Sequence, residues 1–95
     1  MDTPRIHAVK PLDGKRLLVT FVNGVEKFYD CNPIIQLNRF QLLRTEAFFR
    51  AVRVDGRGYG IVWDDETDLS EYELWHNGFE QNLEDTRHVN ETLPI

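Results

Sequence analysis

The chain has 95 residues, 41% of them hydrophobic and 12% aromatic, which predicts one small domain around a single apolar core. A net charge of −5 makes it a poor general binder of nucleic-acid phosphates. The single cysteine, Cys31, excludes an internal disulfide and favours a reducing compartment. MDTPRIHAVK lacks a basic-then-apolar signal pattern and no apolar run reaches about 18 residues, so we expect a cytoplasmic protein without a membrane span.

The charge is distributed unevenly along the chain. Residues 1–38 carry five basic and four acidic groups, residues 39–57 carry five arginines and two acids, and residues 64–95 carry ten acids and Arg87. Solvated charges on helix and strand faces are the ordinary explanation of such runs, and a binding surface is the alternative.

The first elements in chain order form a predicted three-stranded meander. Residues 6–10 predict a strand that turns at Asp13-Gly14. In RLLVTFVNGVEKFYD, two β-rich runs then flank Asn23-Gly24, a pair that suits a two-residue type I′ hairpin turn. Counting outward from this turn, we expect one face to hold Leu17, Val19, Phe21 and Phe28, as the core face, and the other to hold Leu18, Thr20, Lys27 and Tyr29.

Two short helices are expected after the meander. Asn32 can cap the first, with Pro33 at its first position, where the missing N–H costs nothing. Thr45 can cap the second, and the face that packs on the sheet should hold Ala47, Phe48 and Ala51. VRVD and YGIVW then predict a hairpin across residues 55–58. The expected fold is therefore α+β, with a small antiparallel sheet of about five strands and two or three short helices.

The stretch WDDETDLSEYELW, residues 63–75, holds six carboxylates between two tryptophans. A calcium loop that starts at Asp64 would need a glycine at the position of Leu69 and a bidentate carboxylate at the position of Trp75. The calcium pattern therefore fails.

The same stretch fits the start of a helix. Ser70 and Glu73 form a capping box of the form S-x-x-E. Leu69 and Leu74 occupy the two positions of a hydrophobic staple, and residues 77–78, Asn-Gly, supply a stop. We predict a charged turn followed by a capped helix.

Catalytic and metal-binding patterns are lacking. Ser70, the only serine, is assigned to the helix cap. Cys31 stands at no spacing that implies a dyad with a histidine, and the four residues Cys31, His7, His76 and His88 lack the close ligand pairs of a zinc site. We expect neither an enzyme nor a bound metal or cofactor.

Two segments remain as candidate binding sites. The basic segment 39–57, with aromatic residues beside it, is a candidate site for single-stranded nucleic-acid binding through Arg39, Arg44, Arg50, Arg53 and Arg57. Residues 1–78 are predicted to form the domain and residues 79–95 an acidic tail. The tail could be a frayed end, a helix docked on its own domain, or a segment that orders on a partner through Phe79, Leu83, Val89 and Leu93.

The succession VKPLDGKRLLVTFVNGVEKFYD, a short capped helix, FFRAVRVD, GIVW and DLSEYELWHNG resembles the family labelled domain of unknown function 2442. The resemblance runs from about Arg5 to Gly78. It implies a small bacterial α+β domain without established catalytic residues, whose members are suggested partners in toxin–antitoxin-like pairs. Some members are fused to a helix-turn-helix, which the seventeen residues after Gly78 do not show. WDDETDLS also stands where similar sequences have a proline or glycine turn, and the family supplies no functional residue to carry over.

The function favoured by these observations is a non-enzymatic protein-interaction module, the neutralising half of a toxin–antitoxin-like pair. A basic protein partner should bind residues 64–95, which carry most of the acids. The alternative is a nucleic-acid-binding accessory or transcriptional regulator that uses residues 39–57.

Overall fold

Two three-stranded antiparallel sheets and several short helices make up the fold in the computed structural model, which describes residues 3–80. The strands are β1 Ile6–Leu12, β2 Arg16–Phe21, β3 Glu26–Asp30, β4 Arg53–Val54, β5 Gly60–Asp64 and β6 Thr67–Ser70. The helices are α1 Asn32–Ile35, α2 Glu46–Arg50 and α3 Glu71–Asn77, with a 3₁₀ helix, Asn38–Arg44, between α1 and α2. The α+β class is confirmed, with six strands in two sheets instead of about five in one.

The meander β1–β2–β3 forms as predicted, but the register of its second hairpin is shifted by one residue. Leu17 pairs with Tyr29, and Leu18 pairs with Phe28. Tyr29 is therefore buried, whereas Phe28 lies on the other face and is half-buried. The prediction that put Phe28 on the core face and Tyr29 on the solvent face was wrong.

The loop length explains this shift. Phe21 N donates to Val25 O and Gly24 N donates to Phe21 O, each at 2.9 Å, so the loop has three residues. Gly24 has φ +91°, while Asn23 has a negative φ and accepts a hydrogen bond from Val25 N on its Oδ1 at 3.0 Å. A type I′ turn needs a positive φ at both central residues, so this turn is of another kind and moves the pairing by one residue.

The second sheet contains the predicted hairpin β4–β5 and a strand that the sequence did not indicate. Asp55 Oδ1 accepts from the backbone N–H groups of residues 57, 58 and 59, which fixes the β4–β5 turn. After β5 the chain reverses at Asp65 and Glu66 and pairs again as β6. Ile6 N donates to Gly58 O at 2.8 Å, which ties this turn to the start of β1.

The two short helices before β4 differ from the prediction in detail. The N-cap of α1 is Cys31, and Asn32, predicted as its cap, lies inside the helix and donates from its side chain to Gly14 O at 2.9 Å. Thr45 occupies the N-cap position of α2 but makes no capping hydrogen bond with its side chain.

The buried residue of α2 is Phe49, which is fully buried, whereas Ala47 and Ala51 are exposed and Phe48 is half-buried. Trp63 on β5 selects this face, because its Nε1 donates to Phe49 O at 2.9 Å and the two rings stack with centroids 6.4 Å apart.

One hydrophobic core joins both sheets and the helices. Its fully buried side chains are Leu17, Val19, Phe21, Cys31, Leu43, Phe49, Ile61 and Leu74. No helix within residues 3–80 is long and apolar enough to span a bilayer.

Candidate protein-interaction surface

The face of the meander opposite the core carries a row of apolar side chains across the sheet. Leu18 on β2 lies opposite Phe28 on β3, and Phe28 lies opposite Phe79, which follows α3. Phe28 N donates to Phe79 O at 2.7 Å, and Phe79 N donates to Phe28 O at 2.9 Å. We call Leu18, Phe28 and Phe79 the outer row.

The outer row is partly exposed. Phe79 is 46% exposed, Leu18 and Phe28 are half-buried, and the two phenylalanine rings have centroids 6.0 Å apart. Because side chains alternate along a strand, the acidic residues Glu26 and Asp30 lie on the same face as Phe28. The row thus has an apolar centre and a carboxylate on each side along β3.

Gly78 delivers the chain from α3 to the edge of β3. Its φ is −84°, so a left-handed backbone conformation is not the reason for glycine here. A Cβ at this position would lie 2.6 Å from Leu74 O and 3.1 Å from Phe28 O. The residue predicted as a helix stop is therefore needed because it has no side chain, which lets the backbone pass close to both carbonyls.

The C-terminal half of α3 is fixed to the meander beside this crossing. Lys27 Nζ donates to Trp75 O at 2.5 Å and lies 4.0 Å from the centroid of the Trp75 ring. The same indole meets Phe21 edge to face, with centroids 4.9 Å apart. These contacts set the position from which Gly78 and Phe79 approach β3.

The N-terminal end of α3 confirms the capping prediction. Ser70 Oγ accepts from Glu73 N at 3.1 Å, and both staple residues, Leu69 and Leu74, are buried. The reciprocal half of the capping box is replaced, because Glu73 Oε2 accepts from Tyr29 Oη at 2.7 Å. Burial and, next, the hydrogen bond to Glu73 raise the pKa of Tyr29 well above its usual range.

The acidic stretch before α3 is a hairpin turn. Asp64 Oδ1 accepts from Glu66 N at 3.0 Å, a local bond typical of a turn. In the part of the chain that the structure describes, no group of three His, Cys, Asp or Glu side chains is placed to hold a metal ion.

Cys31 and the described histidines do not meet. Cys31 is fully buried, and burial, with a smaller effect from Asp30, raises the pKa of its thiol to about 12. A thiol that stays protonated at neutral pH is a poor nucleophile. His7 and His76 are both exposed, and His76 stacks on Tyr72 with centroids 4.0 Å apart, whereas His88 lies outside the described residues.

The five arginines of the basic segment are exposed but lie on different elements: Arg39 and Arg44 on the 3₁₀ helix, Arg50 on α2, Arg53 on β4 and Arg57 in the β4–β5 turn. Arg50 bonds to Asp13 at 2.7 Å and to Glu46 at 2.6 Å. Arg39 lies 4.0 Å from Asp68 and stacks over Phe40, 4.6 Å from the ring centroid.

Of the residues predicted to contact a partner, Phe79 lies on the outer row, and Leu83, Val89 and Leu93 lie outside the described residues. Leu18 and Phe28 were missed, because the predicted register put Leu18 opposite Tyr29 on the solvent face and turned Phe28 into the core. The β-rich pattern of residues 16–30 places both residues in strands, but only the correct loop length shows that they lie opposite each other.

A protein-family model described as "Protein of unknown function (DUF2442)" matches residues 6–80, more than three-quarters of the chain. The chain belongs to the DUF2442 family. The matched region includes all six strands, α3, and Phe79 with its bond to β3. No significant match to the chain was found among curated proteins or among solved structures.

Proposed function

We propose that this DUF2442 chain is a non-enzymatic protein-interaction module that binds a basic protein, as the neutralising half of a toxin–antitoxin-like pair. The observation that carries the proposal is the outer row. Phe79 is held by two backbone hydrogen bonds beside Phe28 and yet is 46% exposed. Aromatic side chains of this kind are the usual anchors of protein interfaces, since they bury a large area and lose little conformational freedom.

Charge supports a basic partner. Residues 64–95 carry ten acids and one arginine, and Glu26 and Asp30 flank Phe28 on the outer face. Such a field attracts a basic protein before contact, and the aromatic anchors then hold it. Leu83, Val89 and Leu93 remain predicted contacts of the same partner.

Affinity capture from the source organism tests this proposal with three forms of the chain. Phe79→Ser removes the exposed anchor, and Tyr72→Ser is the matched control, because Tyr72 is another aromatic residue, 61% exposed, on α3. We expect the wild type and the control to retain one basic protein, and Phe79→Ser to bind the purified protein about tenfold or more weakly. Association should slow between about 50 mM and about 300 mM salt, because salt screens the acidic field.

Co-expression tests the neutralising role. The captured protein should inhibit growth when expressed alone, and growth should return with the wild type and with Tyr72→Ser but not with Phe79→Ser. An acidic partner, or equal affinity for all three forms, would contradict the proposed interaction surface. A partner that leaves growth unchanged would remove the toxin–antitoxin role alone.

One observation favours nucleic-acid binding as the second candidate. Arg57 lines an open cleft of about 540 Å³ together with Arg5 and His7, so the structure brings two arginines to one concave surface. Fluorescence polarisation with a labelled oligothymidylate tests it. Binding should weaken with salt and be lost in Arg57→Glu but not in Arg50→Glu, because Arg50 is already paired with Asp13 and Glu46.

A further inference from the structure

A second surface lies at the opposite end of α3 from the outer row, where β6 runs into the helix. β6 pairs with β5 on one side only, and among the described residues its other side has no strand partner. Glu71 N donates to Tyr59 O at 2.9 Å, and Asp55 N donates to Gly60 O at 3.0 Å. The backbone of Gly60 therefore faces β4.

In an antiparallel ladder, the backbone N–H and C=O groups of successive residues point alternately towards and away from the neighbouring strand, which identifies the groups on the open side of β6. Gly60 lies opposite Ser70, Ile61 opposite Leu69, and Val62 opposite Asp68. Because Glu71 N bonds to Tyr59 O and the backbone of Gly60 faces β4, Ile61 and Leu69 are the pair whose backbone groups face each other across the ladder. The N–H groups of Asp68 and Ser70 and the carbonyl of Asp68 then point away from β5. Both residues are exposed.

The open edge borders a cleft of about 480 Å³. α1 and the segment after it add apolar side chains to the cleft: Ile34 is half-buried and Leu37 is 53% exposed, whereas Phe40 is buried beneath Arg39. An open strand edge supplies hydrogen bonds to an extended chain, and an apolar wall takes alternate side chains of that chain.

The charge of this surface is negative. Asp68 and Glu73 line the cleft, and residues 64–66 add three carboxylates in the turn that leads into β6. Arg39 at the cleft is 4.0 Å from Asp68, so one positive charge offsets only part of the five carboxylates of the cleft and the turn. The complementary ligand carries lysines or arginines.

We propose that the open edge of β6 and the adjoining cleft bind an extended basic segment of a partner protein, by adding that segment to the β4–β5–β6 sheet. The apolar side chains of the segment pack on Ile34 and Leu37. Its basic side chains face Asp68 and Glu73. This surface is separate from the outer row, so either can be lost without the other.

The test is an NMR titration of the full isotope-labelled chain with the acetylated and amidated hexapeptide Lys-Val-Lys-Val-Lys-Val. We expect saturable shifts of the backbone amide signals of Asp68 and Ser70, with a dissociation constant in the high micromolar range. The same peptide with glutamate in place of lysine should not bind. Two further peptides carry N-methyl groups on one or the other set of alternate amides. Alternate amides of a strand point to opposite sides, so only the peptide whose methyl groups face β6 should lose binding.

Substitutions in the protein test whether the peptide binds at the open edge of β6. Asp68→Lys should weaken peptide binding about tenfold, while the matched control Asp65→Lys, with the same change of charge in the turn, should weaken it about twofold or less. Leu37→Ser should also weaken binding, and Phe79→Ser should leave it unchanged. The proposal is overturned by equal binding of the glutamate peptide, by equal effects of the two lysine variants, or by shifts centred on Phe28 and Phe79.

Discussion

The two faces of the β1–β2–β3 meander are formed by the same strands but differ in how deeply their side chains are buried. On the core face Leu17, Val19 and Phe21 are almost completely buried, whereas on the outer face Leu18 and Phe28 are half-buried and Phe79 is exposed. Apolar residues on both sides of a strand are typical of strands covered on both faces, yet the outer row stays partly exposed within residues 3–80. The comparison indicates that the core face stabilises the fold, whereas the outer row is the surface on which the proposed function depends.

The strongest test of this comparison uses two neighbouring leucines. Leu17→Ala should lower the free energy of unfolding by about 2–5 kcal/mol, because the deletion leaves a cavity in the core. Leu18→Ala should cost about 1 kcal/mol or less, since the side chain is already in contact with water. Urea denaturation of the two variants gives both values, and similar losses would show that the faces do not differ in this way.

The pH dependence of stability tests whether Cys31, a core residue, is as buried as the structure shows. The folded thiol of Cys31 has a pKa of about 12, against an ordinary value of 9.0. Between these values the unfolded chain releases a proton that the folded chain keeps, so this contribution to stability is complete below about pH 9 and is lost as the pH rises towards 12. Cys31 alone should lower the free energy of unfolding by up to about 1.4 kcal/mol per pH unit in this window, and Tyr29, whose pKa is also raised, adds to the fall at its upper end.

Cys31→Ala is the control for this measurement. The variant lacks the titrating thiol, so the difference in stability between wild type and variant should narrow as the pH rises from about 9 to about 11. A difference that stays constant across these pH values would place the thiol in contact with solvent.

The cap of α3 has a smaller expected effect. Ser70→Ala should cost about 0.5–2 kcal/mol, because Glu73 N loses the acceptor that it has in the folded chain. Asp64→Asn and Glu66→Gln should each change the free energy of unfolding by less than about 0.5 kcal/mol, since Asp64 at the end of β5 and Glu66 in the turn are both exposed. Calcium should not raise the denaturation midpoint of any of these forms. A calcium-dependent rise would restore the metal site that the sequence pattern rejects.

The smallest expected effect is on the outer row itself. Phe79→Ser should lower the free energy of unfolding by no more than about 1 kcal/mol, because the ring is half exposed and the two bonds to Phe28 come from the backbone. The thermal midpoint, measured by circular dichroism, checks this value. A loss as large as that of Leu17→Ala would make Phe79 part of the core and would weaken its assignment as a partner anchor.

The features that the sequence predicted correctly depend on residues close together in the chain. Ser70 and Glu73 are three residues apart, and their capping bond forms within one turn of helix. The hairpins at Asn23-Gly24 and at residues 55–58 likewise depend on local turn chemistry. β6 was missed, because the residues that lead to a helix cap at Ser70 also pair with β5, and four residues give too short a pattern to indicate a strand.

The sequence by itself determined the α+β class, the order of most elements, the start of α3 and the exposed candidate Phe79. Tertiary structure decided which side chains are buried: a loop of three residues instead of two turned Phe28 outward and Tyr29 inward, and the contact with Trp63 selected Phe49. It also brought Phe79 to Phe28, fifty-one residues earlier in the chain, through a close approach that only glycine at position 78 allows. Local patterns fix local hydrogen bonds, whereas a face or a site that joins distant segments depends on register and packing, which no short stretch encodes.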